Sequence, residues 1–484
     1  MNKKVLLEDY KLGFADAEKE FINLPDIFDS SFYDPHNLLD KLMNSHEFLL
    51  VGRKGVGKSA YSCKLRCMSK DSVNEINTIS INLSDFGYSV FEKLKLKEFD
   101  GTRKYKLAWD LTLLIEIYKN LYELHYTENQ EINGVYEFLE NNGIILNNSL
   151  NESIKVISKN SFNFKIKTPI FEIENGKTEI KNISNEGAIT FLINKLNNLF
   201  INSGKILFVI DGLDDILRYK RENFFILGAL VRSIDGINQK FKQNNINIKF
   251  ILLIRNDILD QLIDPDLNKI KRDGVIEIIW NKNLEHLRSL AELRLSNTNS
   301  ENIGREWYDI FPKKVRDLDS FQYVLQHTLS KPRDIIQFLV TCQKLFPKQE
   351  NLNVTNILEA IKVYSSDYFF PEMSDELAGF LDDDFIINLR DILKKLGNNY
   401  FSFTQFKNAV DYVMGEKYTD PYKYKNILQT LFNCSYIGIY EKVNYKTGKN
   451  AKSKPFFKHL RPNISINYDG MFTIHKGLYK ALNL

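Results

Sequence analysis

A short apolar run, Phe48-Leu49-Leu50-Val51, breaks into Gly52-Arg53-Lys54-Gly55-Val56-Gly57-Lys58-Ser59-Ala60, with glycine, lysine and serine at the spacing G-x-x-x-x-G-K-S. Residues of these types at this spacing suit a triphosphate. Glycines let the backbone curl until several N–H groups converge on one phosphate. The lysine reaches the β- and γ-oxygens, and the serine hydroxyl ligates Mg²⁺. The helix that follows adds the positive end of its dipole to the same anion. A Gly/Lys-rich surface turn is the plainer alternative, but the strand before and the helix after are the context that a phosphate cradle requires.

A second cluster lies at Leu207-Phe208-Val209-Ile210-Asp211-Gly212-Leu213-Asp214-Asp215, an apolar strand ending in carboxylates. At such an edge Asp211 can reach the Mg²⁺ shell, and Asp214 or Asp215 can orient an attacking water. Aspartates also cap helices, which is the structural alternative. The run Phe250-Ile251-Leu252-Leu253-Ile254 ends in Arg255-Asn256-Asp257, where a polar tip would sense the γ-phosphate. Arg255 and Asn256 are equal candidates, against a loop ion pair of Arg255. Lys331-Pro332-Arg333-Asp334 opens a helix expected over Ile335–Leu345, since proline fits a first helical turn. Arg333 could swing from there onto the phosphates, or simply cap the helix.

The elements that must position these groups are legible as buried strands at Ile79–Leu83, Ile206–Ile210, Ile248–Ile254 and Val275–Trp280. Helix-period segments separate them, which predicts an α/β fold with a doubly wound parallel sheet. Tyr105–Leu124 is the most hydrophobic helix, yet Asp110, Glu116 and Lys119 mark it as a core helix rather than a membrane span. The 484 residues suggest two to four domains. A net charge of +3 leaves any nucleic-acid affinity to local charge. Cys63 and Cys67 have no matching pair, so reduced thiols are expected rather than zinc. Met1-Asn2-Lys3-Lys4 leads into only a short, interrupted apolar stretch, unlike a secretory leader. A soluble, cytoplasmic protein without membrane contact is the expectation.

Taken together, Gly-Arg-Lys-Gly-Val-Gly-Lys-Ser, Asp211-Gly212-Leu213-Asp214-Asp215, the Ile-Arg-Asn-Asp strand end and Lys-Pro-Arg-Asp resemble the STAND/AAA+ branch of P-loop ATPases. The carboxylate cluster is close to the NACHT-type Asp-Gly-Leu-Asp-Glu. More narrowly, the chain looks like bacterial stand-alone P-loop ATPases often found with mobile or antiviral-defence genes. Leu12-Gly13-Phe14-Ala15-Asp16-Ala17-Glu18 and Ile474-His475-Lys476-Gly477-Leu478 fit that group. The resemblance implies ATP and Mg²⁺, with Ser59 and Asp211 as metal ligands, Asp211 as the Walker-B aspartate and a helical lid carrying Arg333. It covers most of residues 10–92 and 200–484. Asp215 stands where the NACHT pattern prefers glutamate, which shortens the reach to water and implies slow turnover. Residues 126–186 match nothing in the family.

The expected organisation is an N-terminal segment (1–45), a P-loop ATPase core (46–290) with an insertion over about 95–190, a helical lid (291–370) and a winged-helix domain (371–484). Within the insertion, Phe162–Lys167 and Ile170–Ile173 alternate as a β-hairpin would, and 126–186 is expected to project from the core. An acidic connector (Glu372, Asp375, Glu376, then Asp382-Asp383-Asp384) precedes helices at Phe385–Leu396, Thr404–Met414 and Pro421–Cys434. Strands at Tyr436–Val443 and Pro455–Leu460 complete a winged helix-turn-helix. Lys442, Lys446, Lys449, Lys452, Lys454, Lys458 and Arg461 make 442–461 basic and acid-free. That suits backbone contact with duplex DNA, with Tyr445 as a stacking group. The alternatives are a lysine-rich edge that blocks strand pairing, or an internal packing module of the kind STAND proteins use.

The expected function is an ATP-binding and ATP-hydrolysing switch, the ATPase component of a bacterial defence or regulatory system. A homo-oligomer and a separate effector protein are the expected partners. The alternatives are a DNA-binding ATPase resembling origin-recognition or loader proteins, and a non-hydrolysing nucleotide-bound scaffold. Arg218, Arg272 and Arg294 are candidates for a trans-acting arginine.

Overall fold

A computed structural model describes residues 4–70, 76–84, 86–94, 101–124, 130–141, 185–197, 204–213, 221–262, 264–298, 305–397, 400–415, 421–442 and 453–484. The chain divides into two compact units. One holds 36–53 and 61–277; the other holds 1–35, 54–60 and 278–484.

The unit of 36–53 and 61–277 is built on five parallel strands, β1 (Leu49–Val51), β2 (Ile76–Asn82), β3 (Lys205–Asp211), β4 (Ile248–Ile254) and β5 (Val275–Glu277). Their order is β2-β3-β4-β1-β5. The expected parallel α/β sheet is therefore present. Every side chain of β1 and all but one of β4 are buried, as strands covered on both faces must be. β5 stops at Glu277, three residues short of the expected end, and Trp280 instead belongs with the other unit.

Helix α1 (Lys58–Lys70) follows the glycine-rich loop. Its Leu65 carbonyl accepts from Thr78 Oγ1 of β2 at 3.0 Å. α2 (Arg103–Glu123) is buried nearly all round, as its composition predicts. It packs against α5 (Arg221–Gln243), where Trp109 Nε1 donates to the Ile226 carbonyl at 2.8 Å. Tyr118 donates to the Leu192 carbonyl of α4 (Asn185–Asn197) at 2.7 Å.

The expectation that 126–186 projects from the core fails for its described part. α3 (Gln130–Asn141) lies along α2, with Tyr136 stacked on Tyr122 at 3.7 Å. Ile132, Val135, Tyr136 and Leu139 form the buried stripe of an amphipathic helix. Their spacing was readable, but the surrounding asparagine-rich composition obscured it. The hairpin expected at Phe162–Lys167 and Ile170–Ile173 lies outside the described residues. The sheet unit continues through α6 (Asn256–Gln261) and α7 (Pro265–Asp273).

In the unit of 1–35, 54–60 and 278–484, α8 (Glu285–Ser296), α9 (Pro332–Leu345) and α10 (Val354–Tyr364) form a helical core. Trp307 anchors it, stacked on Phe311 at 3.9 Å with Nε1 donating to Ser320 Oγ at 2.9 Å. The small hairpin of β6 (Lys314–Val315) and β7 (Leu318–Asp319) lies beside it. A π-helical turn, Ser365–Phe369, runs from α10 into α11 (Phe370–Leu377).

α11 contains Glu372, Asp375 and Glu376, so the expected acidic connector is in part a packed helix. Glu376 is only 6% exposed. The aspartates Asp383 and Asp384 open α12 (Asp383–Leu396) instead, where acids favour the helix start. α13 (Phe403–Met414) and α14 (Pro421–Asn433) follow as expected.

The expected two-stranded wing is part of a four-stranded sheet. Its order is β10 (Ser453–Phe456), β9 (Ile437–Lys442), β11 (Phe472–Ile474), β8 (Tyr400–Phe401). The two added strands have three and two residues, too few for a period to show. Lys446, Lys449, Lys452 and Tyr445 lie outside the described residues.

Both short motifs quoted for the family resemblance prove to be joints within this unit. Asp16 caps the helix Ala17–Asn23 by accepting from the Lys19 N–H at 2.9 Å. The Glu20 carboxylate of that helix forms a two-pronged buried pair with Arg294 of α8, whose Nη1 also donates to the Leu12 carbonyl at 3.2 Å. At the other end, Gly477 approaches so closely that an added Cβ would lie 2.4 Å from the Phe369 ring and 2.5 Å from the His327 carbonyl. Ser365 Oγ of the π-turn donates to the Gly477 carbonyl at 2.5 Å.

Candidate nucleotide site

Within the unit that holds 54–60, the glycine-rich loop is seated on the start of α9. Gly55 has φ +81° and Gly57 φ +103°, values that glycine adopts at little cost. Gly55 needs its missing side chain as well. A Cβ there would meet Arg333 Cβ and Lys331 Cδ, both at 3.2 Å. The Arg333 N–H donates to the Gly55 carbonyl at 3.3 Å, and Trp280 Nε1 donates to the Val56 carbonyl at 3.0 Å. Lys331 has the extended backbone of an N-cap residue and Pro332 occupies the first helical position, so the sequence Ser-Lys-Pro-Arg places Arg333 at the helix mouth. Lys58 and Ser59 open α1 and are half-buried.

The charges around this contact form one network. Lys331 is 2% exposed, and its Nζ lies 2.9 Å from Glu376 Oε1 and 3.8 Å from Asp334 Oδ1. Asp334, fully buried, accepts from the Leu329 N–H at 2.7 Å and from the Tyr368 hydroxyl at 3.2 Å. Burial alone would lower the Lys331 ammonium, but the carboxylates of Glu376, Asp334 and Glu372 outweigh it and hold it above its ordinary value. Burial dominates at Asp334 and raises its carboxyl. Glu372 on α11 carries two cations at once: Arg333 Nη1 at 3.1 Å and Lys54 Nζ at 3.5 Å. The Arg333 guanidinium, desolvated but beside Glu372, is also held above its ordinary value.

Within the other unit the candidate groups stand at the carboxyl ends of the parallel strands, where open α/β sheets bind ligands. The chain leaves β1 at Gly52, whose N–H donates to the Ile254 carbonyl at 3.3 Å. β4 lies between β1 and β3. Asp211, at the end of β3, accepts from the Gly212 N–H at 2.8 Å. It pairs in register with Asn82 at the end of β2. Asn82 is a polar strand tip that the reading of Ile79–Leu83 passed over, although the motif Ile-Ser-Ile-Asn signalled it. Asp214, Asp215 and Arg218 lie outside the described residues. Arg53 is half-buried.

Arg255 and Asn256, equivalent in the sequence, differ in the structure. Arg255 is 7% exposed and grips Asp257 with two hydrogen bonds, Nε at 2.9 Å from Oδ1 and Nη2 to Oδ2. The local ion pair is thus the geometry adopted by Arg255. Asn256 Nδ2 donates to Glu277 Oε1 at 3.0 Å, while its buried Oδ1 has no hydrogen-bond partner among the described residues. Glu277 pairs in register with Val51, so this amide reaches from the end of β4 to the strand on the far side of β1.

Of the remaining arginines, Arg294 is 5% exposed and committed to Glu20, which removes it as a group offered to another molecule. Arg272 is exposed and pairs with its neighbour Asp273 at 2.8 Å. No helix among the described residues is long and apolar enough to cross a membrane. No cluster of three or more His, Cys, Asp or Glu side chains suited to a metal occurs among them either.

A family profile described as the FunZ-associated C-terminal helical domain matches residues 285–370, from the start of α8 into α11. No curated protein matches the chain. Among solved structures the chain is similar to the ORC2 protein of Aeropyrum pernix in ADPNP–ADP complexes, at 10% identity over 94% of this chain and 96% of that one, with a TM-score of 0.41. It is also similar to Cdc6p from Pyrobaculum aerophilum, at 13% identity over 95% of this chain and 97% of that one, with a TM-score of 0.31. A third similar structure is Drosophila ORC bound to DNA, at 9% identity over 98% of this chain and 88% of that one, with a TM-score of 0.31.

Proposed function

We propose that this chain is an ATP-binding and ATP-hydrolysing switch of the STAND/AAA+ kind. The observation that carries the reading is the seating of the G-x-x-x-x-G-K-S loop on the helix of Lys-Pro-Arg, with Gly55 and Arg333 in backbone contact. In this reading the loop amides of Gly52–Ala60 and Lys58 take the β- and γ-phosphates, and Ser59 and Asp211 hold Mg²⁺. A Mg²⁺ ion held by Ser59 and Asp211 would supply charge neutralisation for the phosphoryl group. Asp214 or Asp215 orients the water that attacks phosphorus, and Asn256 reads the γ-phosphate by donating from Nδ2, which exchanges Glu277 for a phosphate oxygen. Arg333 supplies a lid cation. Attack breaks the bond from the γ-phosphorus to the oxygen bridging it to the β-phosphate; that oxygen leaves with ADP, and the water's oxygen stays on the released phosphate.

Service in a bacterial defence or regulatory system, through an effector protein or a homo-oligomer, belongs to the same proposal. The FunZ-associated helical match places residues 285–370 in a described helical family without giving it an activity. The test is nucleotide binding and phosphate release by the full chain. Lys58→Ala should abolish both, and Asp214→Ala with Asp215→Ala should abolish release while sparing binding. Unchanged turnover in all of these variants sinks the site.

A second reading, a DNA-binding ATPase, draws on the basic segment 442–461, of which 443–452 connect β9 to β10 in the sequence. Neutralising Lys446, Lys449, Lys452 and Lys454 should then weaken duplex binding and flatten its salt dependence. Equal binding by that variant removes DNA as a partner of the wing.

A further inference from the structure

Glu372, expected in an acidic connector, has a side chain only 15% exposed, shared between a cation of the glycine-rich loop and a cation of α9. A carboxylate held by Lys54 and Arg333 occupies the position that two convergent cations offer to an anion. We propose that Glu372 is an internal competitor for the terminal phosphate: it holds Lys54 and Arg333 until a nucleoside triphosphate takes them, and it thereby lowers the preference for triphosphate over diphosphate.

The inference rests on the triphosphate reading above and adds a residue whose displacement only the third phosphate requires. A diphosphate satisfies the loop amides and Lys58 but brings no group to displace Glu372. A triphosphate brings a dianionic terminus whose oxygens suit a guanidinium and an ammonium better than one carboxylate does. Only differential contact of this sort lets a ligand shift an equilibrium. The displaced carboxylate belongs to α11, four residues before Glu376, which stays anchored by buried Lys331. That second pair fixes the helix, so the motion required is a rotation of the Glu372 side chain and not loss of α11.

The test is equilibrium binding of a non-hydrolysable ATP analogue and of ADP, each with Mg²⁺, to the full chain. Glu372→Gln keeps the size and an acceptor oxygen but removes the charge. It should tighten the triphosphate about fivefold or more relative to ADP, the range of an ordinary coupling energy. In an Arg333→Gln background that gain should shrink, because the competition has lost one of its two objects and keeps only Lys54. Glu372→Asp, a carboxylate on a shorter arm, should move the ratio the same way by less. If wild type binds nucleotide and Lys58→Ala abolishes it, but Glu372→Gln leaves the ratio unchanged or lower, the competitor role is overturned and the site reading stands. If wild type binds neither nucleotide, both fall.

Discussion

The backbone N–H of Arg333 donates to the carbonyl of Gly55 at 3.3 Å, joining the mouth of one helix to the tip of the glycine-rich loop. This bond does not involve the arginine's charge, so the two segments stay together whichever anion the guanidinium holds. The glycine-rich loop and the start of α9 therefore form one piece of the fold.

Gly55→Ala should damage that piece directly. The new Cβ requires a left-handed φ of +81° and meets Arg333 Cβ and Lys331 Cδ at 3.2 Å. A strained φ of this kind costs on the order of 1–3 kcal/mol. Thermal melting should fall accordingly, and nucleotide affinity should fall with it. A variant that melts like wild type and binds nucleotide normally contradicts the seating.

Removing the Lys331 ammonium leaves Glu376 and Asp334 buried without their cation. Lys331→Met is expected to destabilise by about 3–5 kcal/mol, the usual result of breaking a buried pair from one side. Adding Glu376→Gln to Lys331→Met should recover part of the loss, because the uncompensated charge goes too. Denaturant melts of the two variants decide it, and a double variant weaker than the single one contradicts the pairing.

His327 gives a pH dependence with a defined sign. Burial pushes its imidazole down to about 4, and Nδ1 hydrogen-bonds the Tyr323 carbonyl at 2.8 Å. Because the folded value lies below the unfolded one, the unfolded chain takes the proton first. Stability is fully present above about pH 6.5 and is lost as pH falls from there towards 4. The loss between pH 8 and pH 5 should be about 2 kcal/mol. His327→Gln should remove most of this slope in urea melts at the two pH values; an unaltered slope assigns it elsewhere.

Gly477→Ala should separate the C-terminal sheet from the π-turn. Its Cβ would lie 2.4 Å from the Phe369 ring and 2.5 Å from the His327 carbonyl, and a carbonyl cannot move aside as a flexible side chain can. Overpacking of this kind costs roughly 1–3 kcal/mol. Limited proteolysis should show earlier cleavage near the C-terminus, and a wild-type digestion pattern would contradict the joint.

Local chemistry and period determined much of this protein from its sequence. The strand at Ile248–Ile254 was bounded to the residue, because an apolar run between polar flanks leaves little choice of register. The helices at α2, α9 and α12–α14, and the positive φ of the phosphate loop, were likewise readable. Residue types at fixed local spacing carry that information. Tertiary structure decided what depends on partners distant in sequence. It made the strand order β2-β3-β4-β1-β5, and it built β8 and β11, too short to show a period, into the winged sheet. It separated Arg255, consumed by Asp257, from Asn256, whose amide reaches Glu277. It also turned Glu372 and Glu376 from an apparent solvated run into the counter-charges of Arg333 and Lys331. Carboxylates 39 and 45 residues from their cations leave no periodic trace. Their roles arise only when burial removes the water that would otherwise have satisfied each charge alone.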